Sequence, residues 1–439
     1  MIIRPAKRIR GSLQLPGDKS ISHRAAMIAA LADGITRIEN YSTAADCEAT
    51  LSCLTQLGVG QKRDSDAVMV QGVGLRGLGA PAAALDCRNS GTTMRLLAGV
   101  LAGQSFTSIM TGDRSLRSRP MQRIVEPLSL MGAIVSSQDG CAPLVIEGQS
   151  LQAISYELLV ASAQVKSCVL LAGLFAEGQT KVTENEPTRD HTERMLSWFG
   201  IPIETGAAKR HGANASYVAV QGWPHFQARD VSIPGDISSA AYFVAAAALL
   251  PGSDLEVLNV GVNPTRVRFL DELRAFGLDI TVAETREESN EPVAMVRVRS
   301  VDPPQKDDPI APQVLDGLII PQLIDELPLL AVAGSQIAGG IEIRDASELR
   351  LKESDRIATT VMNLRAMGAE VEEYDDGLRV QGRAPLHAAK IDPQGDHRIA
   401  MAFSVAALMA EGESEIKDAG CVAVSFPEFF ELLDSVAER

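Results

Sequence analysis

Apolar residues of the chain recur in helix-length runs of small side chains, each preceded by a polar turn and followed by a glycine. Six such segments follow one another at intervals of roughly 70 to 85 residues, beyond the repeat length of open solenoids. Each repeat is therefore predicted to be a small fold of its own. The segments begin at Pro16, Cys87, Ala161, Pro234, Pro321 and Pro393.

A second pattern follows each apolar helix. A β-rich run such as "KVTEN" precedes an amphipathic helix that ends in glycine, as in "LTQLGV" and "LRAMGA". Glycine is the expected residue just beyond a helix C-terminus. Strand-like pieces such as "AVMVQG" and "GLRVQG" complete the repeat. The order helix-strand-helix-strand-strand predicts an α/β fold, and six copies grouped three and three predict two similar domains.

Composition narrows the class of protein. The chain has 439 residues, too many for one core, and 46% hydrophobic with 22% charged residues is typical of a soluble globular protein. The net charge of -15 argues against a nucleic-acid partner, which requires a basic surface. The run "AAYFVAAAALLPG" is too short to span a bilayer, and the N-terminus lacks a signal-peptide pattern. We therefore expect a cytoplasmic protein with no membrane partner.

The starts of the apolar helices carry the candidate chemistry, because helix N-termini favour bound anions. Lys19, Ser20 and Arg24 open the first, and the spacing of four places Ser20 and Arg24 on one helical face. An ammonium, a hydroxyl and a guanidinium suit a phosphate or a carboxylate. An ordinary N-cap followed by solvent-facing charge explains the same residues.

Other polar motifs leave similar alternatives open. "RNSGTTMR" offers Asn89 and Ser90 as caps and Gly91 as bare backbone, and "GDRSLRSRPM" gathers several arginines, including Arg119, into one loop. A capped helix and a solvated loop would account for these two motifs without a ligand.

The C-terminal half adds carboxylates. "ELRLKESDRI" is predicted to place Lys352 and Arg356 on one helical face with Glu353 beside them, where an exposed ion-pair ladder is the alternative. Asp325 and Arg398 stand at the heads of the fifth and sixth apolar helices. Since motifs for metals, hydrolases and dinucleotides are absent from the sequence, a metal is not required and the common hydrolase and dinucleotide-binding functions are disfavoured.

Eight motifs, in order, resemble the 5-enolpyruvylshikimate-3-phosphate synthase family, in its class II-like branch. The resemblance implies two domains of three βαβαββ repeats around a pseudo-threefold axis. It assigns residues 1–17 plus 234–439 to the first domain and 18–233 to the second, with the active site in the interdomain cleft. The motifs are "PGDKSISHR", "NSGTTMR", "RSRPM", "SAQVKS", "PTRDH", "GDISSAAYF", "LRLKESDRI" and "DHRIAM".

The resemblance also implies a reaction. The enolpyruvyl group of phosphoenolpyruvate is transferred to the 5-hydroxyl of shikimate 3-phosphate, with release of phosphate, in chorismate and aromatic amino acid biosynthesis. No cofactor is implied, and we expect a monomer whose partners are these small-molecule substrates. Members of the family are glyphosate targets.

Residue roles carried over from the family fall into three groups. Asp325 is the expected base at the shikimate hydroxyl, Glu353 the expected acid at the phosphoenolpyruvate methylene, and Lys19 is a further catalytic candidate. The implied shikimate 3-phosphate ligands are Lys19, Ser20, Arg24, Ser162, Ala163, Gln164, Arg189, Asp325 and Lys352. The implied phosphoenolpyruvate ligands are Lys19, Asn89, Gly91, Arg119, Gln164, Arg356 and Arg398. One departure is Val424, which stands where many relatives carry a lysine.

Two alternatives accompany this hypothesis. UDP-N-acetylglucosamine enolpyruvyl transferases share the architecture but carry a Lys-Asn pair where this chain has Lys19 and Ser20, and a reactive cysteine in the loop where this chain has Arg114. A non-catalytic anion-binding protein on the same fold would be expected to lose the carboxylates, yet Asp325 and Glu353 are both present.

Overall fold

The computed structural model describes residues 1–64, 67–210, 213–300 and 311–439, in which helices alternate with short strands. The α-helices are α1 (Lys19–Leu31), α2 (Ala45–Gln56), α3 (Gly91–Ala102), α4 (Arg114–Arg117), α5 (Gln122–Leu130), α6 (Ala163–Gly173), α7 (His191–Trp198), α8 (Ile237–Leu249), α9 (Arg268–Ala275), α10 (Ile320–Leu323), α11 (Leu327–Gln336), α12 (Arg356–Ala366), α13 (His397–Leu408) and α14 (Phe429–Val436). Single 3-10 turns lie at Gly317–Ile319, Ser347–Leu351 and Ala419–Val424.

The strands are short, and most pair within one repeat. They are β1 (Ile2–Ile3), β2 (Arg8–Gln14), β3 (Asp33–Glu39), β4 (Gly60–Asp64), β5 (Ala67–Val73), β6 (Leu85–Asp86), β7 (Thr107–Thr111), β8 (Ile134–Gln138), β9 (Cys141–Glu147), β10 (Leu151–Gln152), β11 (Ser155–Glu157), β12 (Ala176–Glu177), β13 (Gln179–Glu184), β14 (Ile203–Arg210), β15 (Ala213–Gln221), β16 (Val231–Ser232), β17 (Asp254–Gly261), β18 (Asp279–Glu288), β19 (Glu291–Arg299), β20 (Gln313–Leu315), β21 (Ile341–Ile343), β22 (Val371–Tyr374), β23 (Gly377–Val380), β24 (Lys390–Ile391), β25 (Ser414–Ile416) and β26 (Ala437–Glu438).

The chain divides into two units. Unit 1 comprises Met1–Pro16, Gly235–Arg286 and Pro292–Arg439, and unit 2 comprises Gly17–Pro234 and Glu287–Glu291. Each unit has its own core of buried apolar side chains. The five residues 287–291 comprise the end of β18, the two-residue turn of the β18–β19 hairpin and the start of β19; they group with unit 2, although the sequence around them belongs to unit 1.

Unit 2 is built from three sheets with one strand order. The orders are β16-β3-β5-β4, β6-β7-β9-β8 and β11-β13-β15-β14, each with one parallel pair and two antiparallel pairs. The second and third sheets follow the chain order β-α-β-α-β-β. The first sheet takes its edge strand, β16, from the end of the third repeat. The pairing of β16 with β3 thus joins the end of unit 2 to its first repeat.

Unit 1 has a related arrangement, with sheets of five, four and three strands. Its sheets have the orders β18-β19-β17-β2-β26, β20-β21-β23-β22 and β1-β25-β24, and the last takes β1 from the N-terminus. The predicted α/β repeats are therefore confirmed.

The apolar helices of each unit pack against one another beneath the sheets. In unit 2, α3 packs against α1 and α6, and in unit 1, α8, α11 and α13 contact each other. Gly99 permits a close approach of α3 to α6, because a Cβ atom there would lie 2.3 Å from the carbonyl oxygen of Cys168 in α6. Small residues in these helices are thus explained by helix-to-helix packing.

In the described ranges no single helix is long and apolar enough to cross a membrane. One bent pair, Gly317–Leu323 with Leu327–Gln336, meets the length and composition criterion, and its helices are inclined by 106°.

Candidate active site

The predicted site residues form two sets, one in each unit. Ten lie in unit 2, at the starts of α1, α3, α6 and α7 and in the loop after α4, and five lie in unit 1, around the starts of α11, α12 and α13. In unit 2 the starts of α1, α3 and α6 are fixed by side-chain caps. Asp18 accepts from the Ile21 amide, Ser90 from Thr93 and Ser162 from Val165.

Lys19 is the first residue of α1, and its charge is matched locally. Its Nζ lies 2.9 Å from Oδ2 of Asp46, in the first turn of α2, and the Lys19 side chain remains 18% exposed. Asp46 was not identified from the sequence, because a carboxylate in a first helical turn is common without any ligand. Lys19 therefore presents a cation that is held in place and still accessible.

Arg24 is buried, and its guanidinium is bound by protein acceptors. It donates from Nε to Thr192 Oγ1 at 2.7 Å, from Nη2 to Ser167 Oγ at 2.8 Å and from Nη1 to the Ser20 carbonyl at 2.9 Å. The pKa of Arg24 is lowered to about 10, mainly by burial, with Arg189 lowering it as well. Arg24 and Arg189 thus repel each other, an arrangement that an anion would relieve.

Gln164 joins the starts of α6 and α3. Its Oε1 accepts from Arg95 Nη1 at 2.6 Å, and its Nε2 donates to Thr92 Oγ1 at 3.0 Å. Arg95 ends the "NSGTTMR" motif but was not among the predicted ligands. Ser162 and Ala163 precede Gln164 in the same partly exposed helix start.

Asn89 positions Arg119 and does not cap α3. Arg119 Nη2 donates to Asn89 Oδ1 at 2.8 Å and to Ser115 Oγ at 3.2 Å, and Asn89 in turn donates to Asp113. Ser90 alone caps the helix. A Cβ atom on Gly91 would lie 3.0 Å from Arg95 Nη1 and 3.5 Å from Arg119 Nη1, so glycine leaves the guanidinium groups undisturbed.

Arg356 is the centre of the unit 1 set. It is 1% exposed and surrounded by carboxylates. Its Nε lies 2.8 Å from Asp396 Oδ2, its Nη2 lies 2.6 Å from Glu353 Oε2, and its Nη1 lies 3.6 Å from Asp325 Oδ1. Burial acts to lower the pKa of Arg356, but Asp396 and Glu353 outweigh it and the pKa is raised. Arg356 is a permanent cation that orients the two predicted catalytic carboxylates.

Asp325 links Arg356 to a second arginine. Arg398 Nη2 lies 3.3 Å from Asp325 Oδ2, and Arg398 Nη1 donates to the Asp325 carbonyl at 3.0 Å. Beneath it, Glu326 accepts from Ser238, which also accepts from Arg266. The Asp325 side chain is 17% exposed, whereas Glu326 is buried, so Asp325 is the accessible carboxylate of the pair.

The structure corrects the local prediction for Lys352. Lys352 and Glu353 lie in an irregular segment between the 3-10 turn Ser347–Leu351 and α12, so Lys352 and Arg356 do not share a helical face. The helix begins only at Arg356, because the Asp355 side chain caps it by accepting from the Ala358 amide. Burial is the main cause of the lowered pKa of Lys352, and Arg356 adds to it.

The geometry of the two sets suits small anionic ligands and proton transfer. Unit 2 supplies Lys19, Arg119 and the arginines near α7, and unit 1 supplies arginines beside partly exposed carboxylates. Val424 lies half-buried in the turn Ala419–Val424 and contributes no charge. Within the described ranges, no group of three or more His, Cys, Asp or Glu side chains is arranged to hold a metal ion.

Comparison with known proteins gives first the class and then the family. The chain superimposes on the enolpyruvyl transferase NikO from Streptomyces tendae with a TM-score of 0.77 at 18% identity, covering 99% of this chain and 96% of that one, which shows the fold. It is 40% identical to the EPSP synthase from Acinetobacter baumannii, with a TM-score of 0.84 and coverage of 99% and 97%.

The family follows from the sequence match. Residues 3–433 match the model of EPSP synthase (3-phosphoshikimate 1-carboxyvinyltransferase). A 3-phosphoshikimate 1-carboxyvinyltransferase from Koribacter versatilis is 50% identical over 443 residues, covering 100% of this chain and 99% of the relative. This chain belongs to the EPSP synthase family.

Proposed function

We propose that this chain catalyses the 3-phosphoshikimate 1-carboxyvinyltransferase reaction of the shikimate pathway. It transfers the enolpyruvyl group of phosphoenolpyruvate to the 5-hydroxyl of shikimate 3-phosphate and releases phosphate. The observation that carries the proposal is family membership over residues 3–433. It is supported by the two cation-rich sets of residues, which have the charges that two phosphorylated carboxylates require.

Shikimate 3-phosphate is assigned to the unit 2 residues around Lys19 and Arg24, together with Asp325 and Lys352. Lys19, Ser20 and Arg189 offer charged and hydroxyl donors, and Ser162, Ala163 and Gln164 offer the start of α6. Arg24 is mainly a support in this arrangement, since Thr192, Ser167 and the Ser20 carbonyl already accept from its nitrogens.

Phosphoenolpyruvate is assigned to Lys19, Asn89, Gly91, Arg119 and Gln164 of unit 2 and to Arg356 and Arg398 of unit 1. Forked guanidinium groups match its carboxylate and phosphate oxygens. The contacts of Arg119 with Asn89 and of Arg356 with Asp396 fix these groups in advance, which reduces the entropic cost of binding.

Proton transfer is assigned to the unit 1 carboxylates. Asp325 accepts the proton of the 5-hydroxyl as the hydroxyl oxygen bonds to C2 of phosphoenolpyruvate. Glu353 gives a proton to the methylene carbon. The product of this step is a tetrahedral ketal. Cleavage of its C–O bond to phosphate and loss of a proton from the new methyl group give the enolpyruvyl ether, with the cations stabilising the departing phosphate.

We propose that the two sets of residues act on one pair of substrates, that a monomer suffices and that the protein works in the cytoplasm. No step requires a metal or an organic cofactor, and no cation is assigned to the position of Val424.

A phosphate-release assay tests the function. We expect phosphate to be released from phosphoenolpyruvate only when shikimate 3-phosphate is also present, with the enolpyruvyl ether formed in equal amount by mass spectrometry. The matched control replaces shikimate 3-phosphate with UDP-N-acetylglucosamine. Release with that acceptor would assign the chain to the other transfer reaction, and release with neither would favour an anion-binding protein.

A further inference from the structure

The turn of the β18–β19 hairpin has a defined conformation. Ser289 and Asn290 both have left-handed backbone angles, with φ of 49° and 63°, and they connect Glu288 to Glu291 as a two-residue loop. Two such residues form the type I′ turn that matches the twist of paired strands. The turn therefore fixes the position of Glu291, the residue that follows it, within unit 2.

Glu291 forms a buried ion-pair geometry with the first residue of α7. Its Oε1 lies 2.7 Å from Nδ1 of His191, and both side chains are 2% exposed. His191 Nε2 is buried without a hydrogen-bond partner among the described residues, so Glu291 provides the polar contact that orients the ring. Asn290 adds a second link, because its carbonyl accepts from Arg194 Nη1 at 2.9 Å.

Residues in the first turn of α7 also contact α1 and α6. Thr192 Oγ1 accepts from Arg24 Nε at 2.7 Å and shares a 2.6 Å hydrogen bond with Ser167 of α6. Glu193 pairs with the buried Lys166 at 2.7 Å. Arg189 lies two residues before α7, in the segment that leads into this first turn.

Electrostatics agree with this geometry. Burial and Arg189 both lower the pKa of Arg24, whereas Glu193 and Glu291 raise it. Glu291 is therefore close enough to offset part of the repulsion between two neighbouring guanidinium groups.

We infer that Glu291 is a positioning residue for shikimate 3-phosphate binding: through His191 it fixes the first turn of α7, and with it Arg24 and Arg189. The inference rests on the proposed function, in which these arginines belong to the binding site of that substrate. Glu291 and His191 take no part in proton transfer. Their loss should thus weaken binding of one substrate and leave the chemical step unchanged.

Glu291→Gln tests the inference, with Glu287→Gln as the matched control. Glu287 is an exposed glutamate near the end of β18, beside the same turn, so the control removes the same charge from the same segment. We expect Glu291→Gln to raise KM for shikimate 3-phosphate by about tenfold, the effect of roughly 1.4 kcal/mol of lost binding. Both kcat and KM for phosphoenolpyruvate should stay within about threefold of wild type.

A double-mutant cycle tests the route through His191. In the His191→Gln background, Glu291→Gln should cause little further rise in KM for shikimate 3-phosphate, because the partner is already lost. Independent, multiplying effects would overturn the proposed route. Tryptophan fluorescence monitors folding of the variants, since Trp198 and Trp223 both lie in unit 2.

The outcomes separate this inference from the proposed function. A wild-type chain without shikimate 3-phosphate-dependent phosphate release contradicts the function itself. If the wild type is active but Glu291→Gln and Glu287→Gln have the same KM for shikimate 3-phosphate, the positioning role is overturned. It is also overturned if Glu291→Gln lowers only the melting temperature. Equal increases in KM for both substrates would overturn it as well.

Discussion

At the scale of single residues, Asp325 is the side chain on which the proposed chemistry depends most. It lies between Arg356 and Arg398, at 3.6 and 3.3 Å, and yet remains partly exposed. Both neighbouring groups are cations, so each attracts the carboxylate. The same contacts make it a fixed group, so that its oxygen atoms are held in one orientation for proton transfer.

Asp325→Asn should lower kcat by on the order of 100-fold or more, because the amide has the same shape but cannot accept the proton. Affinity for shikimate 3-phosphate, measured by calorimetry, should change by less than about tenfold, since the unit 2 ligands remain. The control is Asp316→Asn, at an exposed aspartate in the same region of the chain. A variant with near wild-type kcat would show that Asp325 is not the base.

At the scale of elements, the packed apolar helices of unit 2 set the positions of the helix starts that carry the ligands. Gly99 and Cys168 mark a close contact between α3 and α6. This contact lies about two turns from the start of α3 and about one and a half turns from the start of α6, at roughly 3.6 residues per turn. Displacement here should therefore affect both the stability of unit 2 and the placement of Gly91 and Gln164.

Gly99→Ala should reduce the free energy of unfolding of unit 2 by about 1–3 kcal/mol, because the added methyl group would overlap a backbone carbonyl. Urea titration followed by tryptophan fluorescence measures this change, since both tryptophans belong to unit 2. At Gly79 a Cβ atom would be 3.7 Å from the Leu57 carbonyl, an ordinary contact, so Gly79→Ala serves as the control. Equal stability of the two variants would contradict the close-packing explanation.

At the scale of the whole molecule, each unit carries part of the proposed machinery. Lys19 belongs to unit 2, and Asp325 belongs to unit 1. If one chain provides a complete site, a chain with a defect in either unit is inactive, even when it is mixed with other copies of the chain that lack that defect. If sites were shared between chains, one chain could supply what the other lacks.

Coexpression of Lys19→Met and Asp325→Asn chains distinguishes these cases. We expect the purified mixture to have no more phosphate-release activity than the two variants measured separately. Sharing of sites between chains would restore activity on the order of a quarter of the wild-type value. Mixtures of wild type with each variant serve as the control for expression and folding.

Sequence patterning determined the repeats of this protein. Runs of small apolar residues between polar caps and glycines predicted the central helices, and the structure confirms the α/β repeat because helix packing and strand alternation are local consequences of the pattern. Eight ordered motifs likewise predicted the family. Lys19, Gly91 and Arg356 could be selected in this way, since each lies within a motif.

Only the tertiary structure decided which other residues support these motif residues. Asp46 beside Lys19, Arg95 beside Gln164 and Glu291 beside His191 are pairs separated by 27, 69 and 100 residues. Spacing along the chain carries no information about such contacts, because packing of distant elements creates them. The start of α12 at Arg356 is a local case of the same limit: a helical spacing was available from Lys352 onward, but the cap at Asp355 satisfied the free amides and fixed the boundary.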